Sequence, residues 1–133
     1  MSLQLTAGGR DLLLRALAGT ADINFTGVQL GNGANAGTAA SALSNPLVDI
    51  GISSIMKDTN FITLKTSFNN TAISAGFRAT EIGVWATDPD DSTATMLYAY
   101  GYTPDAEADY VPASSSRVLE TQLDVIVYVG DAE

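Results

Sequence analysis

The residues of this sequence with side chains suited to chemistry are a few carboxylates, and those suited to recognition are a set of aromatic rings. Glu81, Glu120 and Asp124 all fall in segments of strand character. Two carboxyl groups gathered across a cleft are what glycoside hydrolysis requires, one to protonate the leaving oxygen and one to act on the sugar or on water. Glu120 and Asp124, however, share the polar parity of an alternating strand, where charge is ordinary. A serine nucleophile needs a base, and the chain has no histidine. A lysine base would be Lys57 or Lys65, and neither sits in a nucleophile motif. With no cysteine either, thiolate and imidazole metal sites are excluded. The run Asp88-Pro89-Asp90-Asp91-Ser92 lacks the glycine and closing glutamate of a calcium loop. Gly31 to Gly37 lacks the lysine and hydroxyl of a phosphate loop. These residues predict no catalytic group, no cofactor and no metal, hence a protein that is not an enzyme.

The rings point to recognition. Trp85, Tyr98, Tyr100, Tyr102 and Tyr110 are of the types favoured in interfaces and on sugar-binding surfaces. Met96, Tyr98, Tyr100 and Tyr102 have one parity and are expected on one strand face, a pattern that also suits plain cross-strand packing. With Pro112, the five rings are the candidate protein-contact residues. The alternative is a carbohydrate-binding module that uses the same rings as stacking platforms. Asn24-Phe25-Thr26 and Asn69-Asn70-Thr71 match a glycosylation pattern, but with no secretory leader they read as chance.

At 133 residues the chain is sized for a single domain, 1–133. Fifteen acidic against six basic residues give a net charge of −9, which repels phosphate backbones, so nucleic acid is not an expected partner. No apolar run approaches the ~18 residues of a membrane helix, so no membrane insertion is expected. The N-terminus shows no signal peptide, which implies synthesis in the cytoplasm.

The elements that must position these side chains follow from periodicity. Thr6 to Gly19 predicts a helix, with Thr6 as cap, Leu12, Leu13, Ala16 and Leu17 at three- and four-residue spacing, and Gly19 as stop. Gly8 and Gly9 weaken its first turn and move the expected start toward Arg10. Strands are expected over Ile23 to Leu30, with a bulge at Gly27, and over Val48 to Ile52. Ala39 to Leu43 reads as a short helical turn between them. Phe61 to Phe68 predicts a further strand, with Ile62, Leu64, Thr66 and Phe68 on one face. Phe77 to Ala86 and Met96 to Tyr102 are expected to pair as a hairpin. Val118 to Val129 predicts a long antiparallel strand, with Leu119, Thr121, Leu123, Val125, Val127 and Val129 on one face. Pro104 to Ser116 reads as the longest loop. The sum is an α+β domain, with one N-terminal helix packed on a mostly antiparallel sheet of about six strands.

The order of several short blocks carries a resemblance. Leu5-Thr6-Ala7-Gly8-Gly9-Arg10 opens a leucine-rich helix, and Phe25-Thr26-Gly27-Val28-Gln29-Leu30-Gly31-Asn32-Gly33 follows. Gly76-Phe77-Arg78-Ala79-Thr80-Glu81-Ile82-Gly83-Val84-Trp85-Ala86 comes next. After it stand Leu97-Tyr98-Ala99-Tyr100-Gly101 and Ala108-Asp109-Tyr110-Val111-Pro112-Ala113. Together these resemble the N-terminal domain of phage tail-collar fibre proteins, over nearly the whole chain, with Gly76, Phe77, Glu81 and Gly83 as the signature residues. The resemblance implies a structural protein of a phage or prophage tail that anchors a tail fibre to the baseplate or tail tip, usually as a homotrimer. It also implies baseplate or tail-tip proteins and a fibre shaft or tip as partners, and location in the virion tail. Two features depart from that family. Thr80 stands where the family commonly has arginine before the glutamate, and an Arg78–Glu81 pair would have to cross strand faces. The chain also ends just after its last strand, where the family has a shaft. That predicts either a piece of a longer fibre or a short stand-alone baseplate component.

Overall fold

The computed structural model describes residues 3–34, 36–58 and 61–128. Among these residues it has one α-helix, α1 (Ala7–Leu17), and ten strands. These are β1 (Leu3–Leu5), β2 (Phe25–Gly31), β3 (Pro46–Ile50), β4 (Ile52–Lys57), β5 (Phe61–Asn69), β6 (Phe77–Ala79), β7 (Glu81–Asp88), β8 (Asp91–Tyr102), β9 (Asp109–Val111) and β10 (Glu120–Tyr128). The α+β class and the antiparallel pairing agree with expectation. The single sheet of about six strands does not. The strands form a five-stranded sheet in the order β1-β8-β7-β2-β3, a three-stranded sheet β10-β5-β4, and a two-stranded ribbon β6-β9.

Two corners account for the difference. The alternation through Val48, Ile50 and Ile52 reads as one strand, but the chain leaves the first sheet at Ile50 and enters the second at Ile52, with Gly51 between. Strands that change sheets in this way need a bend, and alternation alone does not reveal it. At the second corner, the Thr80 amide donates to Gly31 O at 3.0 Å, and its hydroxyl to Gly33 O at 2.8 Å. Phe77 to Ala86 is thereby divided into β6 and β7. The expected loop over Pro104 to Ser116 contains a 3-10 turn at Asp105–Glu107 and β9, which pairs with β6. The helical turn expected over Ala39 to Leu43 does not form, and those residues are turn, bend and irregular backbone.

Helix α1 keeps its Thr6 cap, whose hydroxyl accepts the Gly9 amide at 2.9 Å and donates to Leu97 O at 2.6 Å. It starts at Ala7, not near Arg10. Gly9 has a packing role: a Cβ there would overlap the Tyr98 carbonyl, so the first turn lies directly on the β8 backbone. Gly19, at φ +80, takes the left-handed conformation expected of a helix stop.

The main core lies between the first two sheets. It joins Leu12 of α1, Val28, Val84, Tyr98 and Ala99 of the first sheet, and Leu64, Phe68, Val125 and Val127 of the second. On β5, Leu64, Thr66 and Phe68 are buried, as the alternation predicted. The face expected for β10 is confirmed at Val125 and Val127, whereas Val129 lies outside the described residues. The β7–β8 hairpin forms as expected, closing at Asp88 and Asp91. Among the described residues no helix is long and apolar enough to cross a membrane.

Candidate functional site

A bulge in the β7–β8 ladder decides where the aromatic residues go. Val84 pairs with Ala99 and Trp85 with Leu97, which leaves Tyr98 as the extra residue. The expected single aromatic face is therefore corrected. Met96 and Tyr98 turn into the main core, where Tyr98 is 0 % exposed and meets Phe25 edge-on, with ring centroids 5.2 Å apart. Tyr100 and Tyr102 emerge on the opposite face, in a small second cluster with Leu43, Leu97 and Trp85.

That opposite face of the first sheet carries a polar arrangement centred on Glu81. The Glu81 side chain is fully buried. Its Oε1 accepts the Gly33 and Asn45 amides, each at 3.1 Å, and its Oε2 accepts the Ser44 amide at 2.9 Å and the Tyr100 hydroxyl at 2.5 Å. Burial disfavours the charged carboxylate, but the Tyr100 hydroxyl and the Ser44, Asn45 and Gly33 amides outweigh it, and the pKa lies below the ordinary glutamate value. Tyr100 responds in the other sense. Burial and the hydrogen bond to Glu81 push its phenol up to about 12. The Tyr100 oxygen also accepts the Ala36 amide at 2.8 Å.

The arrangement clamps residues 32–34 and 36–45, between β2 and β3, onto the sheet. Gly83 completes it, because a Cβ there would run into Leu43 and Leu97, so its absence lets Leu43 seat on the strand. Four neutral donors satisfy Glu81, and its lone pairs are spent on backbone and phenol. Arg78 instead donates to Ala108 O at 3.0 Å. Of the acidic trio considered for glycoside chemistry, Glu120 and Asp124 lie on β10 of the second sheet, and the structure does not bring them to Glu81. Asp124 pairs with Lys65 at 3.8 Å.

The other signature positions also have packing reasons. Gly76 leaves room for the Tyr110 ring, which a Cβ would strike, and Phe77 is a core residue. Among the candidate contact residues, Tyr110 is exposed, Trp85 and Tyr102 are half-buried, and Tyr98, Tyr100 and Pro112 are buried.

Sequence reasoning overlooked two features. One is Asn70, named in the sequence as part of a chance glycosylation pattern and in fact fully buried. Its amide donates to Pro112 O at 2.9 Å and Arg117 O at 2.7 Å, and its carbonyl accepts Leu119 N at 2.8 Å. The other is an apolar area on the outward face of the second sheet. Met56 and Ile126 both pair with Thr63, and Phe61 stands two residues before it on β5. These three side chains are 56 %, 58 % and 45 % exposed. A signal was present, since Ile126 falls on the parity of β10 otherwise held by Gln122 and Asp124.

No protein-family model matches the chain, and neither a curated protein nor a solved structure matches it.

Proposed function

We propose that this chain is a structural module of a phage-type tail, anchoring a fibre to the baseplate or tail tip through protein contacts, as a homotrimer. The observation that carries this reading is the outward face of the second sheet. Single exposed apolar residues are normal, but Met56, Phe61 and Ile126 stand on adjacent strands around Thr63 and form one patch. Farther along that face the Lys65–Asp124 pair supplies a polar rim. The resemblance to tail-collar fibre domains supports the reading, and Glu81, Gly83, Gly76 and Phe77 all stand where the fold requires them. The contact surface of this proposal is the Met56–Phe61–Ile126 patch together with exposed Tyr110, in place of the buried Tyr98, Tyr100 and Pro112.

The test is the composition of tail particles purified from the bacterium that encodes the chain. The chain should co-purify with them and label at the tail end with gold-conjugated antibody. A double Met56→Lys, Ile126→Lys variant should keep its circular dichroism spectrum and be lost from the particles. Absence of the wild-type chain from intact particles overturns the anchor, and normal incorporation of the double variant removes this face from it. Light scattering over a concentration series tests the trimer separately.

A further inference from the structure

Beside the clamped segment, the same face of the first sheet is bare. Cross-strand register puts Gln29 opposite Asp49 and Gly27 opposite Trp85. Gly27 and the corner residue Gly51 contribute no side chains, and a Cβ on Gly51 would find no atom within 4 Å. The result is an open notch of about 420 Å³, floored by backbone and bordered by Trp85, Gln29, Asp49, Thr26 and Thr95.

The walls of the notch are ordered before any ligand arrives. Trp85 packs partly on Leu43, Leu97 and Tyr100, and its Nε1 donates to Gln29 Oε1 at 3.2 Å. Gln29 Nε2 in turn donates to Asp49 Oδ1 at 2.8 Å. This relay holds an indole, a planar amide and a planar carboxylate around one space. It leaves the second hydrogen on Gln29 Nε2 and the exposed Asp49 Oδ2 for a ligand.

We infer that this notch is a subsite for a neutral pyranose sugar, with the indole of Trp85 against the apolar C–H face of the ring and Gln29 and Asp49 hydrogen-bonded to neighbouring hydroxyls. The chemistry of the notch selects that class. A sugar ring has one C–H face and a rim of hydroxyls that both donate and accept, and the notch offers an aromatic wall, an amide that donates and a carboxylate that accepts. The Asp49 charge and the net charge of −9 disfavour uronates, sialosides and phosphosugars. The volume falls in the range of small-ligand sites and suits one or two rings. Because the relay is already formed, little side-chain freedom is lost on binding. The site is independent of the apolar patch on the second sheet, so it adds a ligand to the anchor and does not depend on it.

Trp85 is the one tryptophan of the chain and borders the notch, so its fluorescence reports directly on ligand there. The experiment titrates the intact protein with glucose, galactose, mannose, N-acetylglucosamine and their short linear oligomers. At least one should give a saturable blue shift as the indole is covered. Asp49→Ala should weaken that binding by about tenfold or more. Gly51→Leu, whose side chain grows into open space, should fold normally and abolish binding by filling the notch. The inference is overturned if no sugar gives a saturable change, or if binding survives undiminished in both variants.

Discussion

The Tyr100 hydroxyl donates to Glu81 Oε2 at 2.5 Å while accepting the Ala36 amide at 2.8 Å, and so ties the fully buried carboxylate of β7 to the segment that the carboxylate itself clamps. The segment between β2 and β3 makes few regular ladder bonds. Beside the bonds from Ala7 N to Thr38 O and from Thr80 Oγ1 to Gly33 O, it is anchored by one charge accepting three amides and one phenol.

Glu81→Gln keeps the shape of the side chain but turns one acceptor into a donor facing an amide. A buried donor left without a partner costs about 1–3 kcal/mol, and that loss is expected in urea denaturation. Tyr100→Phe should cost a similar amount. The double variant should cost less than the sum of the two, because both changes break the same bond. Strict additivity would mean that the two groups do not act together.

The same pair sets a pH dependence at both ends of the scale. The Glu81 pKa is lower in the folded state than its ordinary value of 4.5, so its contribution is present above that value and is lost as pH falls through the folded pKa. The Tyr100 pKa is raised from 10.0 to about 12, so its contribution is full below 10.0 and is lost as pH rises toward 12. Stability measured against pH should fall at both extremes. Glu81→Gln should flatten the acid limb, and Tyr100→Phe the alkaline one.

Where periodicity met regular backbone, the fold was legible. The Thr6 cap, the Gly19 stop, the inward faces of β5 and β10 and the β7–β8 hairpin all follow from spacing. What stayed hidden depends on contacts between distant segments. A bulge of one residue at Tyr98 moved Tyr100 and Tyr102 to the other face, and two corners at Gly51 and Thr80 divided continuous alternation among three sheets. Glu81 was singled out from the sequence as a signature residue and a possible acid. Its actual partners, the amides of Gly33, Ser44 and Asn45, have no sequence signal because any residue type supplies a backbone N–H.

Two glycines separate rigid from yielding close approach. Gly9→Ala would drive its Cβ into the Tyr98 carbonyl, which is backbone in the middle of a sheet. Gly83→Ala would instead meet Leu43 Cδ1 and Leu97 Cδ1, the far ends of side chains that have other rotamers. Overpacking costs about 1–3 kcal/mol and more where backbone must shift, so Gly9→Ala should lower the melting temperature further than Gly83→Ala. Equal losses would show that the clamped segment is held as rigidly as the sheet.

Asn70 offers the sharpest contrast between a polar surface turn and a buried hub. Three side-chain hydrogen bonds join the end of β5 to Pro112, Arg117 and Leu119, and the Asn70 amide adds a backbone bond to Leu119 O at 3.1 Å. One side chain thus holds three points of the stretch that leads from β9 into β10, beside the Ser114 amide, which donates to Ile73 O at 3.0 Å. Asn70→Ala leaves two carbonyls and one amide to find other partners, and about 2–4 kcal/mol should be lost in equilibrium unfolding. Asn70→Asp keeps the acceptor for Leu119 but sets a carboxylate oxygen against the Pro112 and Arg117 carbonyls, so it should destabilise at least as much at neutral pH and recover part of the loss as the acid protonates. The neighbouring Asn69 is exposed, and among the described residues its side chain accepts only from Thr71, so Asn69→Ala is the control and should cost under about 1 kcal/mol. A loss at position 69 matching that at position 70 would show that the turn, and not the buried amide, holds β10 in place.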